Sequence, residues 1–265
     1  MKIGDYIMIL EDKILELEGV TELRSKWDHY THNSIPVPRM SHILKETEFK
    51  EYILGYALSL GYKRYKLENE QVLKIGEIVH EMIENFLING TDMKISNLLP
   101  SSMISKINMA YENFKVWYYR MISLGYTITI IAVEYVVTCE WFGGTIDCIM
   151  NISRGDYSRT FIVDFKTSKD IYPEYILQTF GYRWAYLLSS SINIDGIGII
   201  RVDKNKPVVE DIFLDYNIPE HCSVLLDIEN SFYHMINWYY QKQQLKFVIN
   251  KTKKEQKGSP IFYEQ

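Results

Sequence analysis

Ile162-Val163-Asp164-Phe165-Lys166-Thr167-Ser168 is the stretch on which the fold and its chemistry turn. Its β-branched and aromatic residues predict a strand, and strand side chains alternate between faces. Asp164 and Lys166 therefore share one face, and Val163 and Phe165 the other. On the strand before it, Gly144-Thr145-Ile146-Asp147 sets a second carboxylate inside an apolar run. If the hairpin pairs tightly across the turn from Asn151 to Ser158, Asp147 and Asp164 come close enough to share a cation. Without a cation, two such acids repel and are driven toward protonation. Asp-x-Lys also suits a strand-end salt bridge, so spacing alone leaves both readings open.

Outward from this hairpin, Thr127–Val137, Gly144–Asn151 and Arg159–Thr167 predict a three-strand antiparallel meander punctuated by Gly-bearing turns. Gly196–Val202 and Val208–Leu214 read as two more strands, with a helix over Pro173–Ser190 before them and one over Pro219–Leu245 after them. Upstream, helices are expected over 6–26, from an N-cap at Ser41 to about Leu60, over 69–88 and over 101–124, with a loop from Trp27 to Arg39 around Pro36 and Pro38. The fold class is α/β (α+β): a central mixed β-sheet with an antiparallel meander, flanked by helices, plus an N-terminal helical segment. Residues 1–66 are read as that helical entry segment and 67–265 as the core. Lys242–Lys257, with six lysines and one acid, reads as a solvated tail.

Composition narrows the function classes. The 265 residues are 47% hydrophobic, enough for a large core, and carry a net charge of −5. Such a field repels nucleic acid, so a polyanionic partner must be held by a local basic patch or a metal ion. No apolar run approaches the roughly 18 residues of a membrane span, and the N-terminus lacks a signal-peptide core. A cytoplasmic location is expected. Cys139, Cys148 and Cys222 are scattered, which argues against a disulfide, a zinc site or an iron–sulfur cluster. Gly196-Ile197-Gly198 begins like a dinucleotide fingerprint but lacks its third glycine and its helix.

Two helical pairs complete the set of chemistry-bearing residues. In Gly76-Glu77-Ile78-Val79-His80-Glu81-Met82-Ile83-Glu84, His80 and Glu84 lie one turn apart; Gln178 and Tyr182 do the same after the Asp-x-Lys strand. Each pair alone is compatible with ordinary packing.

Taken in order, Gly76-x-x-x-His80, Gly144-Thr145-Ile146-Asp147, Asp164-Phe165-Lys166 and Gln178-Thr179-Phe180-Gly181-Tyr182 resemble the motifs of the PD-(D/E)XK nuclease superfamily. The resemblance spans about residues 70–190 and is greatest to RecB-like nuclease domains and the mitochondrial genome maintenance exonuclease. It implies a restriction-endonuclease-like core. It also implies Asp147, Asp164 and Lys166 as catalytic residues and His80, Asp147 and Asp164 as metal ligands. Glu134 would be an additional acid, and Gln178 and Tyr182 would contact DNA. The segment around Arg39 and Ser41 is similar to the entry segment of the same relatives, where a hydroxyl and a helix N-terminus meet a phosphate; a plain N-cap at Ser41 is the alternative.

Magnesium, or manganese in its place, is the expected cofactor, because Mg²⁺ commonly takes one or two carboxylates and substrate phosphate oxygens. The expected activity is metal-dependent exonuclease cleavage of DNA, on single strands or strand ends. A structure-specific or restriction-like endonuclease is the near alternative, and a non-catalytic nucleic-acid-binding or scaffold module is the alternative of another class.

Overall fold

A computed structural model describes residues 27, 29–47, 62–190 and 192–257. The helix expected over 6–26 lies outside the described residues, as does the expected helix beyond Thr47 to Leu60. The chain divides into two compact units: Met1–Thr47 with Thr138–Gly143 and Asn230–Gln265, and Glu48–Val137 with Gly144–Glu229.

Within the first unit, β1 (Tyr30–His32) and β2 (Ile35–Val37) pair antiparallel, where the sequence predicted only a loop. Asn33 and Ser34 take φ of 48° and 66°, the left-handed pair that a two-residue hairpin turn requires. Pro36 is accommodated because this two-stranded sheet consists only of edges. Helix α1 (Met40–Thr47) follows. Its first turn is anchored on the Arg39 carbonyl, which accepts from the amides of His42 and Ile43 at 2.9 and 3.2 Å. Ser41 is therefore inside the first turn and not the N-cap. Glu46 on α1 pairs with Lys242 and Lys246 of the last helix, α5 (Pro219–Lys257). The lysine-rich stretch continues this helix through Lys257; two of its lysines find a carboxylate, so nothing forces the helix to end where a tail was expected.

The second unit is built on a five-stranded mixed sheet in the order β3 (Thr127–Thr138), β4 (Gly143–Arg154), β5 (Tyr157–Lys166), β6 (Gly196–Val202), β7 (Val209–Asp215), with boundary residues of β3 and β4 crossing into the first unit. β4 and β5 are antiparallel, β5 and β6 parallel, β6 and β7 antiparallel. The mixed α/β expectation holds. The β4–β5 ladder runs to Arg154 opposite Tyr157, so the connection is the two-residue Gly155-Asp156 turn, with Gly155 at φ +56°, and not a longer turn from Asn151 to Ser158. That tight turn fixes the register of everything beyond it.

One face of this sheet packs under α2 (Tyr62–Asn89) and α3 (Ser101–Ser123). Cys148, Met150, Phe161, Val163, Phe165, Ile200 and Val202 meet Val79, Ile83, Phe114 and Trp117 there. Helix α4 (Pro173–Ser189) packs on β5 and β6 and buries Phe180, Trp184 and Ala185. α2 starts well before the expected residue 69 and passes without a break through 66 and 67. Gly196 and Gly198 are explained by packing: a β-carbon on either would strike the Phe161 or Phe213 ring. Among the described residues no helix is long and apolar enough to cross a membrane.

Candidate functional site

At the C-terminal end of β5 the predicted residues converge, all within the second unit. The registered β4–β5 ladder ends at Cys148 with Val163, one residue short of Asp147 and of Asp164. Asp147 accepts the Phe165 amide on Oδ2 at 2.8 Å, and His80 Nδ1 of α2 lies 3.4 Å from the same oxygen. Lys166 Nζ approaches Asp164 Oδ2 to 2.6 Å. That contact is one of charge, since this buried oxygen has no aligned hydrogen-bond donor.

One glycine makes the assembly possible. Tyr182 reaches the strand only because Gly144 carries no side chain: a β-carbon there would collide with the Tyr182 ring. Two of the sequence motifs are thus halves of one packing contact. Tyr182, 5% exposed, accepts a hydrogen bond from Gln178 Nε2 at 2.7 Å, and Gln178 Oε1 lies 3.3 Å from Lys166 Nζ. Tyr182 is thus linked through Gln178 to Lys166.

Glu134 joins from β3 by a backbone irregularity. Its φ is +47°, rare for a residue with a side chain. Ile128 and Ile130 pack against the helical core, as does Val133, so the inward phase of β3 slips by one residue just before Glu134. Such a slip is what a β-bulge introduces, and bulges re-aim side chains beside functional sites. Glu134, His80 and Asp147 each present one potential ligand atom, all within 4.8 Å of one another. Groupings of acids this close also occur without an ion, so proximity alone identifies nothing. What fits a cation more specifically is the donor set, imidazole plus carboxylates, beside a buried Asp164 oxygen that lacks an aligned donor.

The electrostatics are those of crowded charge. Burial pushes the Asp164 carboxyl up to about 6, Lys166 opposing and Asp147 adding to the shift. Burial acts the same way on Asp147, but His80 and Lys166 outweigh it and hold its pKa below the usual carboxylate range. Burial alone would lower the His80 imidazole; the adjacent Asp147 reverses this and raises it. Glu134 is raised by burial and by the Asp147 charge.

His80, Glu134, Asp147 and Lys166 open on a cleft of about 560 Å³, lined also by Glu77, Glu81, Glu84, Thr167, Tyr175 and Lys204, while Asp164 stays buried and is not part of the lining. Tyr175 and Lys204 were not among the sequence candidates. The Tyr175 ring lies under Lys166 Nζ at 4.8 Å, and its position three residues before Gln178 on the same helix was the available signal. Lys204 comes from the turn after β6, and no local pattern marks it. Arg39 and Ser41 belong to the first unit, Arg39 exposed and Ser41 half-buried on α1.

No protein-family model matches the chain, and no curated protein does. Among solved structures, one titled "Crystal structure of SSO0001" aligns over 60% of this chain and 72% of that one, at 8% identity and a TM-score of 0.21. A likeness that slight carries no argument about fold or function.

Proposed function

We propose that the chain is a Mg²⁺-dependent deoxyribonuclease of the PD-(D/E)XK type, acting as an exonuclease on single strands or strand ends. The observation that carries the reading is the convergence of His80, Glu134, Asp147 and Lys166, drawn from a helix and three strands, on one solvent-open cleft, with the buried Asp164 paired to Lys166 at 2.6 Å. A structural salt bridge accounts for Asp164 with Lys166, but not for two further acids and an imidazole brought to the same place at a cost in repulsion and backbone strain.

In this reading Asp147, Asp164 and His80 hold the ion, with Glu134 beside them. An ion held there would supply charge stabilisation to the phosphodiester and would lower the pKa of a water for attack. His80 must give up its proton to act as a ligand, and Asp147 keeps the ring oriented. Lys166 turns from Asp164 toward the phosphate and offsets the negative charge that grows as the bond breaks. Gln178 steers the Lys166 ammonium, and Tyr182, seated on Gly144, fixes Gln178. The preference for ends and single strands rests on the resemblance of the Gln178/Tyr182 element to exonuclease-like relatives.

The test is a time course with Mg²⁺ or Mn²⁺ on 5′-labelled and 3′-labelled single strands and on a covalently closed circle. Metal-dependent release of nucleotides from the labelled strands, with the circle intact, is expected. Cutting of the circle would establish endonuclease action, and inert DNA under all conditions would remove the enzyme reading.

A further inference from the structure

The cleft has a second cation whose surroundings are built and whose charge is not neutralised. Lys204 lines it with its Nζ donating to the Thr167 carbonyl at 2.9 Å, one residue beyond Lys166. No carboxylate among the described residues forms an ion pair with it. Burial, together with the nearby Lys106, lowers its pKa. A neutral carbonyl does not repay the desolvation of an ammonium, which is why half-buried lysines normally find an anion.

The turn that presents Lys204 is held on every side. Asn113, buried in α3, donates from Nδ2 to the carbonyls of Asp203 and Lys206, both at 2.7 Å. Asp203 Oδ1 accepts the amides of Asn205 and Lys206 at 2.8 and 3.1 Å, and its Oδ2 accepts from Arg201 Nη1 at 3.1 Å. Arg201, 3% exposed, also donates to the Ser168 carbonyl at 3.2 Å. The Asp203–Lys206 turn is thereby tied to the segment that follows Lys166. The cleft lining thus holds two ammonium groups, Lys166 and Lys204, together with Glu77, Glu81 and Glu84 of α2.

We propose that Lys204 and the rigid turn carrying it form a second phosphate subsite, which grips the backbone phosphate next to the one at Lys166. The proposal deepens the nuclease reading and rests on it for the identity of the anion as nucleic-acid phosphate. With one ammonium hydrogen on Thr167, Lys204 has two more for phosphate oxygens. A one-phosphate substrate would use Lys166 alone, whereas an oligonucleotide would engage both lysines.

The experiment compares the full chain with Lys204→Gln and Lys204→Arg on an oligothymidylate. Affinity is measured in Ca²⁺ across a salt series, and single-turnover cleavage is measured in Mg²⁺. Expected for Lys204→Gln is binding weakened roughly 10-fold, the scale of one charge-assisted contact, and a salt slope shallower by about 0.7, the loss of one single-strand phosphate contact. Lys204→Arg should restore the slope. A methylphosphonate at the phosphate adjacent to the scissile one should weaken the parent and leave Lys204→Gln unaffected. An unchanged salt slope in Lys204→Gln overturns the subsite even if affinity falls, since a merely structural role would lower affinity without changing the number of phosphates held. If Lys204→Gln shows the expected slope change but the parent cleaves nothing, the subsite stands and the nuclease reading falls; if the parent binds no oligonucleotide, both fall.

Discussion

The two ends of β5 each gather two aspartates and a cation, and they are chemically opposite. At its start, Asp215 meets Arg159 and Asp195 meets the Thr160 amide. Asp215 Oδ1 accepts from the Asn217 amide and side chain at 2.8 and 2.9 Å, and Oδ2 from Arg159 Nε at 3.2 Å. Asp195 Oδ2 accepts the Thr160 amide at 2.8 Å, while its Oδ1 accepts from Asn193 and Asn217. Every carboxylate oxygen there has a donor. At its end, Asp147, Asp164 and Lys166 leave a buried oxygen of Asp164 without an aligned donor. The identity of the residues does not separate the two clusters; the saturation of their acceptors does. The first pair is a structural clamp, whereas at the other end the Asp164 oxygen is offset only by the Lys166 charge at 2.6 Å.

The largest effect that could break this contrast is on cleavage. Asp164→Asn keeps side-chain volume and removes a ligand charge, so nucleotide release should fall by about 1,000-fold or more, with far-UV circular dichroism unchanged. Asp215→Asn should leave cleavage at parental metal concentrations within about twofold, because that cluster neither lines the cleft nor, unlike Asp164 with Lys166, pairs with a residue that does. Equal losses in the two variants would erase the distinction between the two ends.

Next in size is Lys166→Ala. It should lower the single-turnover rate by about 100- to 1,000-fold, the scale of one preorganised electrostatic group, while calorimetry finds Mn²⁺ binding no weaker than in the parent. A loss confined to DNA affinity would move Lys166 from catalysis to binding.

How much of this was legible in the sequence follows the same division between local and non-local order. The Asp-x-Lys strand, the alternating faces and the mixed sheet could be read because period-two patterning is written into β4 and β5 themselves. His80, Gln178 and Tyr182 were found through motif order, not through geometry. Three things could not be read. The hairpin at Asn33-Ser34 depends on a left-handed pair that neither residue demands as glycine would. The re-aiming of Glu134 depends on a one-residue slip that only pairing reveals. Lys204 depends on a turn held by Asn113, ninety residues upstream, and no local pattern records such a contact.

Stability should report the other end. Asp215 is 2% exposed, and in Asp215→Asn an amide group would face the Arg159 guanidinium, donor against donor. Urea unfolding should find a loss of about 2 kcal/mol, below the figure for a fully buried pair because Arg159 is one-third exposed and partly screened. Arg159→Met, which removes the charge and keeps the stem, should recover part of that loss in the double variant. No recovery would mean that the cost lies in the Asn217 bonds and not in the ion pair.

The smallest expected effect concerns an acid with two cations in the first unit. Glu46 Oε2 lies 2.9 Å from Lys246 Nζ and 3.2 Å from Lys242 Nζ. The hydrogen bond from Lys246 pulls its pKa down, partial burial opposes this, and Lys242 adds to the depression, leaving it at about 2 against an ordinary 4.5. A carboxyl depressed on folding stabilises the folded state fully above its unfolded pKa and loses that contribution as pH falls toward the folded value. The window is therefore about pH 4.5 down to about 2. Read at face value the shift would be worth more than 3 kcal/mol, but Lys246 is nearly half exposed, and solvent screening reduces the contribution to about 1 kcal/mol. Glu46→Gln should accordingly melt a few degrees below the parent at pH 6, with the gap narrowing between pH 4.5 and pH 3 as the carboxyl of the unfolded parent takes up its proton while the folded one is still ionised. Added salt at pH 6 should narrow the gap too. A gap that widens on acidification, or that ignores salt, would place Glu46 with the saturated, structurally clamped acids of Asp215 instead of with screened surface pairs.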